Sequence, residues 1–380
     1  QIWRLCGVLV IFALAGIACS ITAQYFAARA AVGFGAGLRS ALFRHIQGFS
    51  YAQTDQAGTS TLITRMTADI NQMQTGVNMT LRLLLRSPII VFGAMILAFT
   101  VNASSAWVFV VAIPLLAVVV FSIMFAGIPL YRRVQQNLDR VTSITRENLN
   151  GVRVIRAFRK EQEEIDRFEA ANTAHNRIQN HVGRISALLN PITMLIVNGG
   201  LIALLLSGAI RVESGSMTTG DVFALTNYMS QILVELIKFA DVIITVNKAL
   251  ACASRVESVL DMPVGMEVQD IPADPSAAGS AVCFRSAGLT YAGNAAPSVS
   301  GIDFTVRPGE TVGIIGSTGS GKTSVVNLIP RFYDATEGAV LVNGRDVRSY
   351  PLEELRGRVA VVPQKAVLFR GTVRSNLLWG

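Results

Sequence analysis

From Ser87 to Tyr131 the chain runs 45 residues without one Asp, Glu, Lys or Arg, bounded by Arg86 and Arg132. A bilayer core is crossed by about 20 predominantly apolar residues, so this run is too long for one crossing and equals two, joined at the polar tip Asn102-Ala103-Ser104-Ser105. Hydrocarbon offers no water to backbone N–H and C=O groups, which makes each crossing a helix. Residues 5–28 and 185–210 are uncharged as well, and a fifth run from Val222 passes Glu235, Lys238 and Asp241 before ending near Asn247. The expectation is an α-helical polytopic membrane domain over 1–260 with five spans, at about 5–28, 87–106, 107–131, 185–210 and 221–247. Composition agrees: 51% of residues are hydrophobic and 15% charged, where a soluble domain carries about 25% charged residues. Disordered, fibrous and secreted disulfide-stapled chains are excluded.

Charge supplies the orientation. Residues 261–380 hold 11 basic and 11 acidic side chains, so the whole +8 excess lies in 1–260, beside the apolar runs. The 102–106 tip has no basic residue and the 209–219 loop only Arg211, whereas 29–86 holds six arginines and 132–184 eleven basic residues. Positive charge is retained inside, which makes these two long segments and the C-terminal region cytoplasmic. Five spans then put Gln1 outside, and with Gln rather than Met at position 1 a preceding span is expected. Aromatics at 7% offer no stacking platform and nothing resembles a base-reading module, so no nucleic-acid partner is expected. Cys6, Cys19, Cys252 and Cys283 lack metal-ligand spacing.

The cytoplasmic segments exceed tight turns. Gly48 and Gly58 bracket a break over Phe49–Gln56, and a similar break is expected around Gly151, ahead of Val152–Lys160. Helices that run beyond the bilayer and turn at short cross-pieces account for both, the cross-pieces serving as docking surfaces or as solvated hairpin ends. In the fifth span, Asn227, Gln231, Glu235, Lys238, Asp241 and Thr245 fall within an arc of roughly 120° at 100° per residue. Two readings fit: a substrate route lined by polar groups, or a self-neutralised i, i+3 set that snorkels to the interface.

Residues 261–280, with Pro263, Pro272 and Pro275, form a linker. Beyond it the apolar period changes from helix to strand, with Ile302, Phe304 and Val306 alternating and Thr311–Ile315 a short apolar strand. Gly316-Ser317-Thr318-Gly319-Ser320-Gly321-Lys322-Thr323 follows and leads into a helix. This is a complete G-x-x-x-x-G-K-[ST] phosphate loop. Its glycines let the backbone wrap a phosphate and aim N–H groups inward; Lys322 reaches the β- and γ-phosphates, and the Thr323 hydroxyl suits Mg²⁺. Ala339–Val342 reads as a strand, Asn343-Gly344 as a tight turn, Leu352–Arg356 as a helix and Val359–Val362 as a buried strand ending in Pro363-Gln364. Gln364 is a ligand-contact candidate by its place past a parallel strand, or a plain loop amide. Tyr291 is either a base-stacking ring or a half-buried strand aromatic.

GSTGSGKT, NLIPRFYDATEG and VVPQKAVLFRGTVRSNLLWG, behind a membrane region with long cytoplasmic loops, resemble ATP-binding cassette (ABC) exporters with membrane and ATPase domains fused in one chain. The resemblance covers essentially the whole sequence. It implies an exporter-type transmembrane fold followed by part of an α/β P-loop NTPase domain over 281–380, binding ATP and Mg²⁺. It assigns Tyr291 to adenine, Gly316, Ser317, Thr318, Gly319, Ser320, Gly321, Lys322, Thr323 and Ser324 to the triphosphate, and Thr323 and Gln364 to Mg²⁺. Phe49–Gln56 and Ala157–Asp166 look like coupling helices. Asn227, Gln231, Glu235, Lys238 and Asp241 are the candidate substrate path. Such exporters have six spans per half and work as paired halves in the cell membrane, and the NLLWG ending looks like one member of a heterodimer. The LSGGQ-type signature, the Walker B aspartate with its glutamate and the switch histidine fall beyond Gly380 in the family's pattern, so a longer protein is expected, with no catalytic residue among these 380. Export of a drug, lipid or peptide is the leading expectation; a non-hydrolysing partner subunit, an exporter-fold importer and an ATP-gated channel are the alternatives.

Overall fold

The computed structural model describes residues 2–365 and 367–378. In chain order the helices are α1 (Ile2–Gln47), α2 (Tyr51–Ala57), α3 (Thr59–Thr64), α4 (Ile70–Met79), α5 (Arg86–Val101), α6 (Ala103–Ala157), α7 (Glu161–Ala187), α8 (Leu189–Glu213) and α9 (Thr219–Leu260). Two π-helical turns, Arg65–Asp69 and Thr80–Leu84, lie on either side of α4. Strands β1 (Val282–Leu289) and β2 (Val299–Val306), helix α10 (Lys322–Leu328), strands β3 (Glu337–Val342) and β4 (Arg345–Asp346), and helices α11 (Leu352–Arg358) and α12 (Val373–Leu377) complete the chain. The residues divide into two units, Gln1–Gly35 with Asn71–Cys252, and Ala36–Ile70 with Ala253–Gly380.

The first unit is helical, and the helical stretches Ile2–Gln47, Thr59–Val101, Ala103–Ala157 and Glu161–Glu213 are long and apolar enough to cross a membrane. Its core joins Val91, Ala94 and Ala98 of α5, Phe109, Ala112 and Leu116 of α6, Val197 and Leu204 of α8, and Leu225, Met229 and Ile232 of α9. Small residues recur there because membrane helices gain little from hydrophobic burial against lipid and associate by close backbone approach. At Gly208 an added Cβ would lie 2.7 Å from Val222 Cγ2. The outward faces are apolar, with Leu195 74% and Ile89 68% exposed, as lipid contact demands. The tip expected over 102–105 is a single residue: Asn102 leaves helical geometry and its side chain accepts from Ser105 N at 3.0 Å, capping α6.

Two expectations about breaks are corrected. Helix α6 continues through Gly151 to Ala157, since one glycine costs a helix only about 1 kcal/mol. The reversal comes at Phe158–Lys160, where Arg159 adopts a left-handed φ of 51°. In place of a cross-helix over Ala157–Asp166, α7 starts directly at Glu161, with Glu161, Glu163 and Glu164 favouring its N-terminus.

In the second unit the sheet order is β2-β1-β3-β4, antiparallel throughout. Phe284 at the centre of β1 pairs with Phe304 and Val340 across the two ladders. Phe284, Leu289, Val325, Leu328, Val340, Val342, Tyr350 and Leu355 form one core, joining β1 and β3 to α10 and α11. The β3–β4 turn is Asn343-Gly344, both with positive φ, as a type I′ hairpin needs. Two expected strands, Thr311–Ile315 and Val359–Val362, are irregular, with Ile315 97% and Val362 95% exposed. Their β-branched residues suit a pleated surface, but a strand exists through its ladder, and the four-stranded sheet pairs with neither stretch.

Candidate functional site

The phosphate loop lies between this irregular segment and α10. Gly319 and Gly321 both have φ of 85°, a left-handed backbone that L side chains adopt only with strain. Gly321 is also crowded: an added Cβ would lie 2.9 Å from the Ser298 carbonyl and inside the contact shell of Val299 Cγ1. Glycine at 321 therefore permits both the turn and its seating against the start of β2. Lys322 folds back over the loop, its Nζ donating to the carbonyls of Gly316 at 2.8 Å and Ser317 at 2.7 Å. Residues 316–320 and Thr323 are exposed, and Lys322 half-buried. A glycine cradle, a lysine held across it and an accessible threonine hydroxyl fit a triphosphate with its divalent cation.

Tyr291 lies two residues beyond β1 and is half-buried. Its hydroxyl is 2.9 Å from that of Ser324, itself buried on α10, so the expected base-stacking ring is tied to the helix that follows the phosphate loop. Gln364 lies in the irregular segment after α11 and is exposed; among the described residues no hydrogen bond joins it to the loop. The NLLWG ending falls partly on Trp379 and Gly380, outside the described residues.

Helix α2 is built by its caps. Ser50 and Gln53 form a reciprocal capping box at its start, and Gly58, with φ of 75°, ends it. Gln53 Nε2 also donates to the Pro263 carbonyl at 2.6 Å. In the same unit, Tyr51 stacks on Phe332 with ring centroids 4.4 Å apart, and Tyr333 donates its hydroxyl proton to Asp55 Oδ2 at 2.5 Å. Burial, then the hydrogen bond that Tyr333 donates to Asp55 and the charge of that carboxylate, push the Tyr333 phenol well above the ordinary tyrosine range. Tyr333 meets Tyr291 at 4.9 Å with ring planes at 88°. Arg331, fully buried, is bidentate to Asp334 and donates to the carbonyls of Glu267 and Arg348. Tyr291, Tyr333 and Asp55 border one cavity of about 1000 Å³. Sequence reading picked out both RFYD and the 49–56 segment but paired no residue of one with a residue of the other; 278 positions separate Tyr333 from Asp55.

In the first unit the α9 stripe is split. Asn227, Gln231, Lys238 and Asp241 are exposed, while Glu235 is fully buried. The Glu235 carboxylate accepts from Ser87 Oγ at 3.0 Å, Lys238 Nζ at 2.9 Å and Gln231 Nε2 at 3.4 Å. Ser87, at the start of α5, carried no signal in the sequence.

Two family models match the chain: the ABC transporter transmembrane region over residues 2–236 and ABC transporter over 299–377. An uncharacterized ABC transporter ATP-binding protein of Mycobacterium bovis is 40% identical over 365 residues, covering 96% of this chain and 63% of that protein. One of Bacillus subtilis is 31% identical over 380 residues, covering 100% of this chain and 66% of the relative. An ATP-dependent lipid A-core flippase of Hahella chejuensis is 30% identical over 371 residues, covering 97% and 63%. The chain thus spans about two thirds of the length of these relatives. A multi-pass apolar helical region and a phosphate-loop domain follow one another on one polypeptide, and the chain belongs to the ABC transporter family, in the fused exporter-type arrangement.

Proposed function

We propose that the chain forms most of one half of an ATP-driven exporter that moves an amphipathic molecule, a lipid foremost, across the cell membrane. The phosphate loop carries the reading: its two left-handed glycines and the lysine across them are what a triphosphate requires. Residues 316–324 hold the phosphates, Tyr291 takes the base, and Thr323 and Gln364 meet Mg²⁺, which when bound neutralises charge on the phosphate oxygens. The basic excess of the long loops puts the nucleotide end in the cytoplasm. Helix α9 is a fifth crossing, and its charged groups are tolerated because the Glu235 carboxylate is met by three donors. The exposed members of the polar stripe, Asn227, Gln231, Lys238 and Asp241, line the route taken by the cargo, and Glu235, buried against Ser87, holds Gln231 and Lys238 in place behind them. The flippase name of one relative favours a lipid over a peptide.

A second half completes the machine, and the resemblance of the NLLWG motif favours a heterodimer. No LSGGQ-type sequence occurs in these 380 residues, so by themselves they hold nucleotide without turning it over appreciably. Nucleotide contacts drive the membrane helices only if they differ between two conformations, and contacts made when two such domains meet supply that difference. The second reading, a nucleotide-binding but non-hydrolysing partner subunit, shares every feature of this site. The deciding experiment reconstitutes the full-length protein in vesicles and follows a fluorescent lipid between leaflets. ATP-dependent movement abolished by Lys322→Ala is expected; movement indifferent to Lys322 refutes the exporter reading. ATP retention without turnover favours the partner subunit.

A further inference from the structure

The proposed base platform, Tyr291, is not an isolated ring. Its hydroxyl is tied to Ser324 and its side meets Tyr333 at near-perpendicular geometry, an arrangement that aromatic pairs favour. Tyr333 is in turn held twice from α2: its own hydroxyl goes to Asp55, and the adjoining Phe332 stacks on Tyr51. A hydrogen bond accepted by a carboxylate is short and directional. Helix α2 is itself anchored by its capping box and by Gln53 on the Pro263 carbonyl. A shift of α2 thus reaches the Tyr291 ring through one intervening side chain, beside a cavity roomy enough for the rings to move.

We infer that Tyr333 is a positioning residue that sets the stacking face of Tyr291 from Asp55, so that recognition of the nucleotide's base, apart from its phosphates, depends on how α2 is seated. This rests on the reading of Tyr291 as the base platform. The dependence is reciprocal, since two linked equilibria shift each other by the same factor: base stacking on Tyr291 favours the seated α2. Tyr291 is tied to the phosphate site at Ser324 through a hydroxyl bond that leaves Tyr333 and Asp55 out, and Lys322 is held by the loop's own carbonyls, so the phosphate contacts are spared when Tyr333 or Asp55 is altered.

The test uses the full-length protein and two ligands, Mg-ATP and inorganic tripolyphosphate, with both dissociation constants measured calorimetrically. Tyr333→Phe keeps the ring and removes only the hydroxyl; it weakens ATP roughly fivefold, the scale of one lost hydrogen bond, and leaves tripolyphosphate unchanged. Asp55→Ala does the same, the double variant adds nothing further, and Asp55→Asn, which keeps an acceptor, loses less. A role confined to general structure weakens both ligands alike, and that result overturns the inference, as does an unaltered ATP constant or additive losses in the double variant. Failure of the underlying reading looks different: the unmodified protein then binds tripolyphosphate as tightly as ATP, or binds neither.

Discussion

The three loop glycines are not equivalent, and their ranking is a quantitative consequence of the structure. At Gly319 an alanine meets no atom within 4 Å but must hold φ of 85°, a strain of roughly 1–2 kcal/mol. At Gly321 the same strain applies, and the added methyl also runs into Val299 and the Ser298 carbonyl. That carbonyl cannot easily retreat, because Ser298 N donates to Leu289 O at 2.8 Å and holds the start of β2 against the end of β1. Overpacking of this kind costs about 1–3 kcal/mol more. At Gly316 the backbone is unstrained and the conflict is with Ser320 Oγ at 2.5 Å, an exposed hydroxyl held by a 3.4 Å hydrogen bond from Lys322 Nζ, which can yield more cheaply than a backbone carbonyl. The loop must keep its shape to aim its N–H groups at phosphate, so these costs appear as lost affinity. At 1.4 kcal/mol per decade, Gly321→Ala weakens Mg-ATP binding by roughly two orders of magnitude, Gly319→Ala by about five- to thirtyfold and Gly316→Ala by less than about threefold. Competition against a fluorescent ATP analogue on the full-length protein measures all three. The reasoning fails if Gly319→Ala is as damaging as Gly321→Ala, or if Gly321→Ala binds within threefold of the parent.

Arg331 is buried with its donors spent on Asp334 and two carbonyls; Arg331→Ala leaves those acceptors unmet, costs about 3 kcal/mol or more, and is read as a lowered thermal midpoint with earlier proteolysis between residues 261 and 280. Glu235→Gln keeps the shape of the Ser87 contact but removes the charge facing Lys238, so substrate-stimulated ATPase of the complete transporter changes while basal turnover stays; an unchanged substrate response removes the stripe from the cargo route. The raised Tyr333 value means that the folded state favours the protonated phenol, so its contribution is present below the ordinary tyrosine range and is lost as pH rises through the higher folded value. In a 295 nm titration Tyr333→Phe therefore removes an ionisation step that lies above the ordinary tyrosine range.

Charge-free runs, basic loops and the phosphate loop were legible from residue order because each meets a local requirement. Hydrocarbon demands about 20 apolar residues with internally bonded backbone, and phosphate demands a backbone free of Cβ at set positions. Even the capping box at Ser50 and Gln53 and the Asn343-Gly344 turn are decided within four residues. Misread stretches share a different character. Thr311–Ile315 and Val359–Val362 have strand-forming residues, yet pairing needs a neighbouring strand that local composition cannot supply. Gly151 reads as a break, yet the helix on both sides carries it through at small cost.

The sequence by itself determined where the chain can enter a membrane and where it can hold a triphosphate, since both follow from residue types read along a few turns of backbone. Only the tertiary structure decided that Glu235 is buried against Ser87 and that Tyr333 bridges Asp55 and Tyr291. Those pairs lie 148 and 278 positions apart for Ser87–Glu235 and Asp55–Tyr333. Contacts over such separations come from loop closure and packing, and no periodicity in the order of residues encodes them.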